Sequence, residues 1–86
     1  MPHRIEFTAS AGRDFSKLSR DIQQRIASRI DALARQPRPR GVEKMEGHET
    51  RYRIRVGDYR VIYEIQDKIL LVLIVRIGHR REVYRR

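Results

Sequence analysis

The sequence predicts an α+β fold: an N-terminal strand, a two-helix hairpin, then an antiparallel β meander, with the helices packed on one sheet face. Three observations predict it. Apolar residues in the first part of the chain recur at helical spacing, the period changes to two from Arg51 onward, and Gln36-Pro37-Arg38-Pro39-Arg40-Gly41 separates the two regimes. That break is too short for a domain linker, and a chain of 86 residues has surface enough for only one core. Residues 1–86 are therefore expected to form one domain.

In chain order, Ile5 and Phe7 alternate with Arg4, Glu6 and Thr8, a strand signature. Ala11, Phe15 and Leu18 then share a helical face, with Ser10 as the expected cap. Ser19 is placed to cap a second helix, and Asp21 sits in its first turn, near the positive end of the dipole. Ile22, Ile26, Ile30 and Leu33 form its apolar stripe, which ends at Pro37. These stripes read as core faces rather than binding grooves. Beyond the break, Arg51–Val56, Tyr59–Gln66 and Ile69–Ile77 read as strands joined at Gly57-Asp58 and Asp67-Lys68. The last is almost continuously apolar, the pattern of a central strand covered on both faces. Glu82–Arg86 is read as a short final strand.

Charge points outward from the fold to a partner. A net charge of +9 on so short a chain implies a polyanion: nucleic acid, an acidic protein or an anionic membrane surface. There is no cysteine for a disulfide or a thiolate metal site. His3, His48 and His79 lack metal-ligand spacing, and no glycine-rich phosphate loop or nucleophile elbow is present, so no metal or cofactor is expected. The N-terminus has no apolar leader and Ile69–Val75 is too short to span a bilayer, so no membrane partner and a cytoplasmic location are expected.

The hairpin register decides what the arginines do. If Gly57-Asp58 is a two-residue turn with glycine at positive φ, Val56 lies opposite Tyr59 and Arg55 opposite Arg60. Arg53, Arg55 and Arg60 then emerge on one face, and Tyr52, Ile54, Val56, Val61, Tyr63 and Ile65 on the other. Like charges directly opposite weaken a sheet by a few tenths up to ~1 kcal/mol, so stability alone does not select this arrangement. A phosphate ligand removes the repulsion and uses the forked guanidinium geometry; a charged edge that keeps other strands away is the competing explanation. After the apolar strand, Gly78 allows a bend that is expected to bring the following polar cluster near the arginine face. His79 can titrate near neutrality, and Tyr84 can transfer protons only if neighbouring cations lower its pKa. Each taken alone reads as a turn or packing residue.

Arg51-Tyr-Arg-Ile-Arg-Val-Gly-Asp-Tyr-Arg-Val-Ile-Tyr-Glu-Ile65, with Val75-Arg-Ile-Gly-His-Arg-Arg-Glu-Val-Tyr84, resembles the RelE branch of the RelE/ParE toxin superfamily. So does Pro37-Arg-Pro-Arg-Gly41 leading into Lys44-Met-Glu-Gly47. The resemblance covers essentially the whole chain and implies a RelE-like fold and a toxin of a type II toxin–antitoxin system. It further implies mRNA cleavage in the ribosomal A site, by metal-independent attack of the ribose 2′-hydroxyl on the adjacent phosphate. The implied partners are a cognate antitoxin protein, the ribosome and mRNA. Carried over by position, the family's basic residues fall on Arg53, Arg55, Arg60 and Arg80, and its C-terminal tyrosine on Tyr84. In one departure, arginines stand at 53 and 55 where the family pattern has lysines. Arginine keeps its proton at physiological pH, so it stabilises a phosphate but exchanges protons poorly. Hence Arg53, Arg55 and Arg60 are expected to hold the phosphate, and Tyr84 or His79 to help activate the 2′-hydroxyl. A ParE-like DNA gyrase inhibitor without catalysis, or an RNA-binding module without turnover, are the alternatives.

Overall fold

The computed structural model describes residues 2–79. Its elements are β1 (Arg4–Phe7), α1 (Ala9–Ser16), α2 (Arg20–Leu33), β2 (Glu43–Lys44), β3 (Arg51–Val56), β4 (Tyr59–Gln66), a 3-10 turn (Asp67–Ile69) and β5 (Leu71–His79). The expected strand at 82–86 lies outside the described residues.

The five strands form one mixed sheet in the order β1-β5-β4-β3-β2. The meander β3-β4-β5 is antiparallel as expected, while β1 returns to pair parallel with β5, Ile5 opposite Val72 and Phe7 opposite Ile74. Thr8, rather than the expected Ser10, caps α1. Its hydroxyl accepts from the Ala11 N–H at 3.1 Å and donates to the Val75 carbonyl at 2.9 Å, so one side chain both starts the helix and bolts it to β5. Ser19 occupies the N-cap of α2 without a side-chain bond to the helix.

Both helices pack on one sheet face. Ala11, Ile26, Ile30 and Leu33 meet Ile54, Val56, Val61, Tyr63, Ile65, Val72, Ile74 and Ile77 in a single core. Tyr63, at 0% exposure, donates its hydroxyl to the Pro37 carbonyl at 2.7 Å. Burial drives its pKa well above the ordinary tyrosine value, so it stays a neutral donor. The Pro37–Gly41 break is thereby tied to the sheet. Arg38 adds a second tie: it stacks over the Tyr52 ring and reaches Asp67, which also bonds His3.

Two expectations about β5 are corrected. The join from β4 is a 3-10 turn closed by Leu70 at φ +52°, so Gln66 pairs with Leu71 and Ile69 is an exposed turn residue. Nor is β5 covered by helices on both faces: Leu71 and Leu73 of its apolar run stand on the face away from the helices, and past Ile74 a bulge breaks the alternation. Tyr63 pairs with Ile74 but Ile62 with Arg76, leaving Val75 as the extra residue. The bulge reverses the side-chain alternation, so Val72, Ile74 and Ile77 all face the helices. Among the described residues no helix is long and apolar enough to cross a membrane.

Candidate functional site

The face of the sheet turned away from the helices holds the candidate site, and the β3–β4 turn assembles it. Gly57 takes φ +61° while Asp58 stays at negative φ, the pattern of a type II′ hairpin turn. The register follows as the sequence predicted: Val56 opposite Tyr59, Arg55 opposite Arg60, Arg53 opposite Ile62. Cross-strand rows then extend into the neighbouring strands. Glu43 of β2 pairs with Arg53, and Gly78 of β5 with Arg60, so the row holding Arg55 and Arg60 ends on a residue without a side chain.

Arg53, Arg55 and Arg60 line a cleft of about 160 Å³ together with Gly41, Glu43 and Ile54. Glu43 is the residue the sequence did not single out. Its carboxylate accepts from Arg53 Nε at 2.7 Å. That hydrogen bond and the Arg53 charge, joined by the charges of Arg60 and Arg55, hold its pKa below the ordinary 4.5. The cleft thus carries an ionised carboxylate among three guanidinium groups. Glu43 lies on a strand of only two residues, too short to show any period; its sole signal was the neighbouring Lys44-Met-Glu-Gly47 segment. One row farther from the turn, Arg51 is neutralised by Glu64 directly opposite. Arg55 is exposed and Arg53 and Arg60 half-buried.

Chemically, the cleft suits a tetrahedral oxyanion. Guanidinium donors on adjacent strands can each contact different oxygens, and fixed donors need no reorganisation as charge builds on them. Among the described residues no three His, Cys, Asp or Glu side chains come together in a way that could hold a metal ion.

His79 is not brought to this cleft, and that expectation is corrected. It pairs with Tyr59, whose ring it meets edge-on at a centroid distance of 5.7 Å, on the helix side of the sheet. There it lines a separate hollow with Asp14, Lys17 and Leu18. The cause is the bulge at Val75: with even alternation from Ile74, His79 would have shared a face with Arg60. Arg76 turns to α1 and donates from Nε to Asp14 at 2.8 Å. Burial alone would raise the Asp14 pKa, but the hydrogen bonds from Arg76 and the Ile77 N–H, with the charges of Arg76 and Lys17, bring it below the ordinary 3.8. Arg80 and Tyr84 lie outside the described residues.

The chain is similar to known toxins over nearly its whole length. A family model described as the ParE toxin of the type II toxin–antitoxin system parDE matches residues 5–84. Toxin RelG of Mycobacterium tuberculosis is 33% identical over an 87-residue alignment spanning all of both chains. Among solved structures, the archaeal RelE–RelB complex of Pyrococcus horikoshii OT3 contains a chain with a TM-score of 0.82 and 30% identity, covering 93% of this chain and 97% of that one. The RelBE2 toxin–antitoxin complex of Mycobacterium tuberculosis gives a TM-score of 0.80 at 30% identity, covering 92% and 99%.

Proposed function

This chain belongs to the RelE/ParE superfamily as a RelE-type toxin of a type II toxin–antitoxin system, and on that premise we propose that it cleaves mRNA on the ribosome. The observation that carries the reading is the register that puts Arg55 across from Arg60, with Arg53 and Glu43 completing one cleft.

In the proposed reaction the scissile phosphate enters the cleft and displaces Glu43 from Arg53. The ribose 2′-oxygen attacks the adjacent phosphorus, the bond from phosphorus to the 5′-oxygen breaks, and a 2′,3′-cyclic phosphate and a free 5′-hydroxyl result. Arg53, Arg55 and Arg60 stabilise the extra charge on the pentavalent phosphate. None of the three is suited to take the 2′-hydroxyl proton, because guanidinium groups stay protonated. Glu43, ionised and already within the cleft, is the proton acceptor in this scheme. Arg80 and Tyr84 join the set by resemblance, Arg80 as a further cation on the phosphate and Tyr84 as the donor of the proton to the leaving oxygen; His79, on the other sheet face, has no part in it. A cognate antitoxin is the proposed protein partner, in keeping with the RelE–RelB complexes among the similar structures, and the cytoplasm the proposed location.

The test adds purified protein to programmed ribosomes and maps the 5′ ends of the mRNA. Cuts confined to the A-site codon, slowed ~10²–10³-fold by Arg60→Ala, are expected. Wild-type cutting by a folded Arg60→Ala protein would remove the assignment. The ParE description of the matching family model favours one second reading, a gyrase inhibitor. Intact mRNA together with blocked DNA supercoiling would establish it instead.

A further inference from the structure

The β3–β4 turn carries arginines on its helix side as well. On α2, Arg25 and Arg29 stand one helical turn apart and exposed, with Gln24 and Ser28 beside them. These four line a groove of about 440 Å³ whose other wall is Val56 and Gly57 at the hairpin tip. Arg25 lies across the turn: a Cβ at Gly57 would come within 3.0 Å of its Nη2. Glycine there supplies the positive φ that sets the Arg55–Arg60 register, and the same missing side chain leaves room for Arg25.

Among the described residues this pair meets no carboxylate within salt-bridge distance. Arg4, Arg38, Arg51, Arg53 and Arg76 each meet a carboxylate. Among the described residues neither Arg25 nor Arg29 does, although Asp21 stands one turn before Arg25 on the same helix. Like charges at i and i+4 work against the helix, so the Arg25–Arg29 pair is not one that helix stability selects.

We propose that this groove is a second RNA-binding surface, which takes backbone phosphates of an RNA segment other than the one in the Arg53–Arg55–Arg60 cleft. Three features select RNA over a protein occupant. The groove offers no exposed apolar anchor, since Val56 is 5% exposed, and protein interfaces depend on such anchors. The polar groups along it, two guanidinium groups with a glutamine amide and a serine hydroxyl above the aliphatic stems, are the donor set that contacts phosphate and ribose oxygens. Side chains at i and i+4 stand ~5–6 Å apart at Cβ, comparable with the spacing of successive phosphates on one RNA strand. Because the groove and the cleft lie on opposite sides of the same hairpin tip, the tip is held between two RNA segments, which orients the cleft toward its substrate. The inference extends the proposed function but does not require cleavage.

The test measures binding of a fluorescein-labelled RNA stem-loop to the full chain by anisotropy over a series of salt concentrations. Arg25→Gln/Arg29→Gln is expected to weaken binding and to reduce the slope of log K against log salt by roughly 1.4–1.8, since each phosphate no longer neutralised removes about 0.7–0.9. Arg53→Gln/Arg55→Gln is expected to reduce it independently, the two reductions adding in the combined variant. Arg29→Gln alone, which leaves Arg25 in place against Gly57, is expected to give about half of the first reduction. An unchanged slope in both α2 variants overturns the proposal, as does a wild-type protein that fails to bind the stem-loop. Loss of poly-glutamate binding with RNA binding untouched would also overturn it, assigning the groove to an acidic protein. The predicted slopes from a protein that leaves ribosome-bound mRNA intact would sink the nuclease reading and keep this one.

Discussion

Arg60 and Tyr63 stand on the same strand and face opposite ways. Toward the helices, β4 contributes Val61, Tyr63 and Ile65, each at 0–1% exposure within a core that α1 and α2 close. On the other side, Arg60 lies against Arg55, and Glu43 reaches across to Arg53. The first face is arranged for stability: apolar side chains, a hydroxyl with its acceptor and no buried charge among the described residues. The second accepts like-charge proximity that stability alone would remove. One strand serves both ends because alternation separates them completely, so substitutions on the two faces are expected to have opposite profiles.

The largest expected effect tests the helix face. Tyr63→Ala is expected to destabilise the protein by ~3–5 kcal/mol, through reduced burial, a cavity and an orphaned Pro37 carbonyl. Denaturant unfolding measures it, and Arg55→Ala, its counterpart across the sheet, is expected to stay within ~1 kcal/mol of wild type. Comparable losses from the two would mean that the open face also carries the fold.

A smaller effect separates the faces by pH. Asp14 pins the end of α1 to β5 through Arg76 and the Ile77 N–H, and its folded pKa lies below the ordinary 3.8. Its contribution is therefore fully present above that value and lost as pH falls through the lower, folded one. Asp14→Asn is expected to lower the melting temperature near neutrality and to flatten its decline below about pH 4. An acid limb as steep as that of wild type would assign the loss to other carboxylates.

The smallest effect has the opposite sign. Arg55→Thr replaces a like-charge pair with a β-branched residue and is expected to add a few tenths up to ~1 kcal/mol of stability while cleavage falls. A variant both less stable and less active would indicate that the Arg55–Arg60 pairing supports the fold and would remove the main physical reason for reading the face as a ligand site.

The positions of the arginines were legible in the sequence because the features that set them are local. Gly57 at the turn, a period of two on either side and apolar residues on one set of alternate positions leave a single register that sorts the chemistry. The helical stripes were legible for the same reason, and Ile26, Ile30 and Leu33 are buried as their spacing implies. Two features of the site were not legible. Glu43 enters the cleft because β2, two residues long, pairs with Arg53, and so short a strand exists only where a partner strand holds it. His79 leaves the cleft because β5 bulges at Val75, where Thr8 of the helix cap bonds the carbonyl. The sequence by itself determined which residues share a strand face wherever alternation runs unbroken. The tertiary structure decided where alternation breaks and which strand lies alongside, because both depend on hydrogen bonds between segments far apart in the chain.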